Sequence, residues 1–178
     1  MAHPSIASRR LLINHKFSLT ADKKSIFAYL SAYWESRGFK LYLDDKVDDT
    51  LCGTRGSHLA NMTSFDSTKL ISSISVQCSD AGEVTTVMVV DLSGQILTSW
   101  NQLDLALEQV LCQRGFTGLP EPAALRDYRQ SHAFANVMWV LTLGLITNVM
   151  PESWRTLLED VNPSTNSPVL SFLEPGTY

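Results

Sequence analysis

The chain has only three cysteines, Cys52, Cys78 and Cys112, and no two of them form a C-x-x-C pair. An odd, scattered set cannot close a disulfide framework and lacks the ligand spacing of a zinc site, so buried free thiols are expected. There is also no G-x-S-x-G, no Walker loop and no H-E-x-x-H. These absences remove the nucleophile elbow, the phosphate cradle and the helical zinc pair, and with them the signatures of the common hydrolase, nucleotidase and metalloprotease classes. The opening "MAHPSIASRRLL" carries a basic pair, but its apolar run is short, is broken by Asn14 and lacks a small-residue cleavage site. No secretory signal is expected, and the expected location is the cytoplasm, either free or at a membrane.

What is present suits a globular domain. At 178 residues, with 44% hydrophobic and 18% charged residues, the chain is long enough and apolar enough to bury one sizeable core. The net charge of −4 is unevenly spread: residues 1 to 40 hold seven Lys or Arg against two acids, and the rest hold seven against sixteen. A solvated basic helix face accounts for this, and an anionic surface as partner is the alternative. Nucleic acid is not expected as a partner, and no cofactor or metal is called for. The aspartates 44, 45, 48 and 49 lack calcium-loop spacing and read as a wet turn.

Period-two alternation in "LLINHKFSL" places Leu11, Ile13, His15, Phe17 and Leu19 on one side of a strand. Thr20 is a candidate cap for a following helix whose stripe is Ile26, Leu30, Tyr33, Trp34 and Arg37, ended by Gly38. Four strands should follow. The last two alternate Leu70, Ile74, Val76, Cys78 and then Val84, Met88, Val90, Leu92 across the turn "SDAG". A second helix should open at Gly94, run to about Gln113 with a stripe of Ile96, Trp100, Leu103, Leu107, Val110 and Leu111, and stop at Gly115. This order predicts an α+β two-layer sandwich over residues 1–116, an antiparallel sheet with two helices on one face.

Residues 117–125, with two prolines, form the expected linker to a hydrophobic helical hairpin at 126–161, and 162–178 read as an extended tail. From Ala133 to Met150 eighteen residues carry no charge, enough to raise a membrane span as a possibility. The segment is short for a span and contains Asn136, Thr142, Thr147 and Asn148, which favour a buried helix at an intramolecular or subunit contact. Val137, Trp139, Leu143, Ile146 and Trp154 are the expected interface residues.

Candidate polar sites are few. His15 falls on an apolar strand face, where a backbone-satisfied core histidine is the commoner outcome and a ligand-orienting group the rarer one. His132 and Asn136 lie four apart on one helix without a third partner. Asn61-Met62-Thr63 matches the glycosylation sequon. In "GTRGSHLANMTSFDSTKL", Gly53 and Gly56 bracket Arg55, and Lys69 enters the next strand, so Arg55 and Lys69 form a candidate anion-binding pair beside the alternative of a structural turn with salt bridges. The stretch resembles small bacterial proteins of no assigned activity, in which an R-G-S turn precedes an S-F-D-x-x-K strand entry and a later G-Q, here Gly94-Gln95, opens a helix. That pattern has proline where this chain has Ser67, and it implies no activity.

The element order is also similar to helix-grip domains of the START type, which implies a hydrophobic-ligand carrier. A non-enzymatic binding or assembly module acting through a protein partner, a second copy or a membrane surface is the expected function. The alternatives are that carrier and a cytoplasmic domain with a single C-terminal membrane anchor.

Overall fold

The computed structural model of the chain describes residues 10–44, 50–64, 66–93, 98–118 and 168–173, together with Leu125, Gln130, Phe134, Val137, Met138, Leu141 and Thr142. Within them a six-stranded antiparallel sheet carries the order β2-β3-β4-β5-β1-β6. Its strands are β1 (Arg10–Ser18), β2 (Lys40–Leu43), β3 (Thr50–Arg55), β4 (Ser72–Cys78), β5 (Glu83–Asp91) and β6 (Val169–Leu173). The helices are α1 (Lys23–Ser36), the short α2 (His58–Thr63) and α3 (Thr98–Phe116), with a 3-10 turn at Ser67–Lys69. The mixed α/β composition and the strand, helix, meander, helix order agree with the alternation in the sequence.

Alternation works because successive side chains of a strand point to opposite faces. On β1 the odd residues Leu11, Ile13, His15 and Phe17 are all buried. Cross-strand partners share a face, and the register Ile13↔Met88 and Ile74↔Met88 makes one apolar floor across β1, β5 and β4. Onto that floor α1 lowers Ile26, Leu30 and Trp34, and α3 lowers Leu105 and Cys112, so that sheet and helices share a single core. The two helices are also tied directly. Tyr29 and Tyr33, one turn apart on α1, donate their hydroxyls to the backbone carbonyls of Cys112 and Glu108 at 2.8 and 2.6 Å. The pairing of 29 with 112 and of 33 with 108 makes the helices antiparallel. Burial pushes the Tyr29 phenol up to about 12 and the Tyr33 phenol well above its ordinary value, so both remain protonated donors.

Local boundaries differ from the sequence reading at three points. The cap of α1 is Asp22, not Thr20: its carboxylate accepts from the Ser25 backbone N–H at 3.0 Å and from the Ser25 hydroxyl at 2.6 Å. A carboxylate at the positive end of the helix outcompetes a hydroxyl two residues earlier. Helix α3 is assigned from Thr98 and runs through Gly115 to Phe116, with residues 94–97 outside the described set. Its stop is Gly118, with φ +68, because Gly115 sits under Tyr29, where a Cβ would lie 2.5 Å from the hydroxyl. The third difference is β6, which lies inside the segment read as a tail and pairs with β1 from Arg10↔Leu173 to Asn14↔Val169.

Most of the 126–161 hairpin lies outside the described residues, as do the side chains of Trp100 and Leu103. Among the described residues no helix is long and apolar enough to cross a membrane. The segment 133–150, which raised that possibility, falls largely outside them.

Candidate functional site

The candidate residues fall into one buried joint, one buried polar cluster and one exposed apolar surface. The joint is built on Arg55, the last residue of β3. Its position opposite Ser72 turns it to the helix side of the sheet, where its side chain is 1% exposed. Nη1 and Nη2 donate to Oε1 and Oε2 of Glu108 on α3, both at 2.7 Å. Nη1 also reaches the carbonyl of Arg37, the C-cap of α1, at 3.0 Å, and the guanidinium stacks 4.3 Å above the Phe39 ring. Two parallel bonds to one carboxylate match the planar fork of arginine. Gly56, with φ +87, makes the turn that follows; a Cβ there would run into the Leu70 carbonyl.

Lys69 goes elsewhere. It is exposed on the 3-10 turn, 3.7 Å from Asp66. The structure therefore gives the two cations different carboxylates and commits Arg55 to the interior, so the sequence-expected anion pair of Arg55 and Lys69 is not assembled. Glu108 was the member that sequence reasoning missed. The available signal was its place between the buried Leu105 and Cys112 in helical spacing, which puts an acid on the inward side of α3.

His15 forms the second cluster. It is 1% exposed at the centre of β1, opposite Thr86 of β5, with its ring 5.0 Å from Phe17. Thr86 donates to Gln109 Oε1 at 2.6 Å, and Gln109 Nε2 lies 3.7 Å from the Met88 sulfur. Among the described residues neither His15 ring nitrogen has a hydrogen-bond partner. Burial lowers the imidazole from its ordinary 6.5 to about 4, keeping it neutral at physiological pH. The unfolded chain binds this proton near 6.5 and the folded chain only near 4, so the folded state is favoured fully above pH 6.5 and loses that advantage as pH falls towards 4. Stabilities from urea denaturation at pH 7 and pH 4.5 should show a His15-dependent loss of about 2 kcal/mol, absent from His15→Leu. An equal acid loss in His15→Leu would assign the effect to other groups.

Asn61, the sequon asparagine, is buried. Its Nδ2 donates to the Asp91 carbonyl at 2.9 Å and its Oδ1 accepts from the Ile71 N–H at 2.8 Å. With both ends of the amide engaged, this side chain is a clamp between α2 and the ends of β4 and β5, not a glycan acceptor. None of the three cysteines is in a disulfide, and burial pushes the Cys112 thiol up. Among the described residues no group of three or more His, Cys, Asp or Glu is arranged to hold a metal. Aspartates 45, 48 and 49, together with His132 and Asn136, lie outside the described set.

The exposed surface is apolar. On β6, Val169 is 66% and Phe172 54% exposed. Phe134, Val137 and Leu141, spaced three and four apart, are each more than half exposed. The expectation of a buried helix at an intramolecular or subunit contact for this segment lies largely outside the described residues. Of the expected interface residues only Val137 is described; Trp139, Leu143, Ile146 and Trp154 lie outside. Between α1 and the sheet, where a helix-grip carrier would hold its ligand, Leu30, Trp34 and Met88 are fully buried and pack in the common core. No protein-family model, curated protein or solved structure matches the chain.

Proposed function

We propose that the protein is a non-enzymatic assembly module acting through a protein–protein contact, with a second copy of the chain as its partner. The observation that supports this is β6. Its sequence "VLSFL" has no charge and no proline, it ends the sheet among the described strands, and Val169, Ser171 and Phe172 are exposed while Leu170 packs against the core. Proteins normally blunt such an edge with lysine, proline or a bulge, because its unpaired N–H and C=O groups are a template for another strand. An uncharged edge is therefore better suited to being occupied.

The strand is self-complementary about Ser171. Antiparallel pairing of two copies centred there sets Leu170 of one against Phe172 of the other, and Val169 against Leu173, on matching faces. Such a contact is isologous and closes as a dimer. The stripe Phe134, Val137, Leu141 supplies further exposed apolar surface.

Sedimentation equilibrium of the full chain should show a monomer–dimer equilibrium, and Val169→Lys/Phe172→Lys should shift it at least tenfold towards monomer with unchanged circular dichroism. A wild-type chain that stays monomeric at high micromolar concentration would overturn the proposal, as would a double variant that dimerises equally.

A further inference from the structure

On the sheet face away from α1 and α3, the geometry points to a binding trough for a small organic phosphate. A cleft of about 660 Å³ opens there, lined in part by Arg10, Lys40, Thr54, His58, Ser73 and Val89. Its volume is that of sites that take small organic ligands. The register explains why a trough exists at all. Lys40 pairs with Thr54, Thr54 with Ser73 and Ser73 with Val89, so these four form one continuous cross-strand row on a single face. Long side chains stand towards its ends, Lys40 on β2 and Arg10 on β1, and the two short hydroxyl residues lie between them.

The chemistry lining the trough is selective. Arg10, Lys40 and the His58 imidazole line it beside one carboxylate, Asp91, and beside Arg55, whose charge is matched by Glu108, in a chain whose net charge is −4. Lys40, Thr54, His58 and Ser73 make no side-chain hydrogen bond or ion pair among the described residues, so their donors are available without breaking any contact. A phosphate monoester offers several strong acceptors and negative charge to ammonium, imidazole and hydroxyl donors. Its organic body would lie against Val89 and Ile71, the apolar part of the lining.

The walls are held from behind. Arg55 ties the turn after β3 to the end of α1, and Asn61 ties α2 to the ends of β4 and β5. Donors on a fixed frame lose little entropy on binding. This site is separate from the β6 edge and does not depend on the assembly reading.

Isothermal titration of the full chain with adenosine 5′-monophosphate, glucose 6-phosphate and inorganic phosphate, beside phosphatidic-acid vesicles, tests the assignment. The expected result is saturable binding of at least one ester, at least tenfold tighter than inorganic phosphate and weakened by added salt. Lys40→Gln/His58→Gln should weaken it at least tenfold; both residues are exposed, so circular dichroism should not change. Ser73→Val, which fills the trough without touching a charge, should weaken ester binding independently. Absence of ester binding, binding to vesicles alone, inorganic phosphate binding as tightly as the esters, or unchanged affinity in both variants would each overturn the proposal.

Discussion

Replacing Arg55 with alanine is expected to cost about 3 to 5 kcal/mol of stability, because it strands the Glu108 carboxylate in the interior without its cation. The same cost is expected for Glu108→Ala, which strands the guanidinium. The magnitude comes from what remains, not from the strength of the pair: an uncompensated charge under α3 must either draw in water or loosen the helix. The discriminating experiment is therefore the double variant Arg55→Met/Glu108→Leu, which removes both charges and keeps apolar bulk. It should recover most of the loss, whereas Arg55→Lys should not, since an ammonium cannot bridge both oxygens and reach the Arg37 carbonyl as the fork does. Urea midpoints for the four variants measure this. Single variants with wild-type midpoints would show that the joint contributes nothing to holding β3, α1 and α3 together.

Trp34→Ala should also cost about 3 to 5 kcal/mol, by loss of buried area and the cavity left behind. The ring is fully buried at the centre of α1's inward face and meets Tyr33 and Phe39 edge-on at centroid distances of 5.0 and 5.6 Å. Among the described residues no other fully buried side chain is larger. Its indole Nε1 has no hydrogen-bond partner among the described residues, so Trp34→Phe gives up volume without giving up a bond to them. That variant should cost less than half as much as alanine, by the same denaturation measurement. Equal losses for phenylalanine and alanine would mean that the indole nitrogen is engaged after all.

The sheet was legible because its apolar residues alternate strictly. Every inward position expected from Leu11 to Phe17, from Ile74 to Cys78 and from Val84 to Val90 is buried. Helix α3 was harder. Its expected stripe was drawn through apolar residues, but the face that meets the sheet runs through Leu105, Gln109 and Cys112, with Glu108 beside it. Leu107 and Val110, around the circumference, are buried too. A helix covered on more than one side has no single stripe to find, and polar residues that pair inside are read as outward-facing. Arg55 was singled out for its flanking glycines, yet its partner lies 53 residues away and only the fold brings the two together. The trough was invisible for a related reason, since a cross-strand row is set by register and not by spacing along the chain.

The place of β6 also bears on how the protein reaches its native state. Leu12 pairs with Ser171, roughly 160 residues further along the chain, while β2 to β5 pair with near neighbours. Closing so long a loop is slow relative to forming hairpins, so the meander can assemble while the far side of β1 still waits for its strand. During synthesis that interval lasts at least until residues 169–173 have left the ribosome. For that time the nascent chain carries an open, inward-apolar edge at β1, and any copy of "VLSFL" that arrives first, from its own chain or from a neighbour, can fill it by strand exchange.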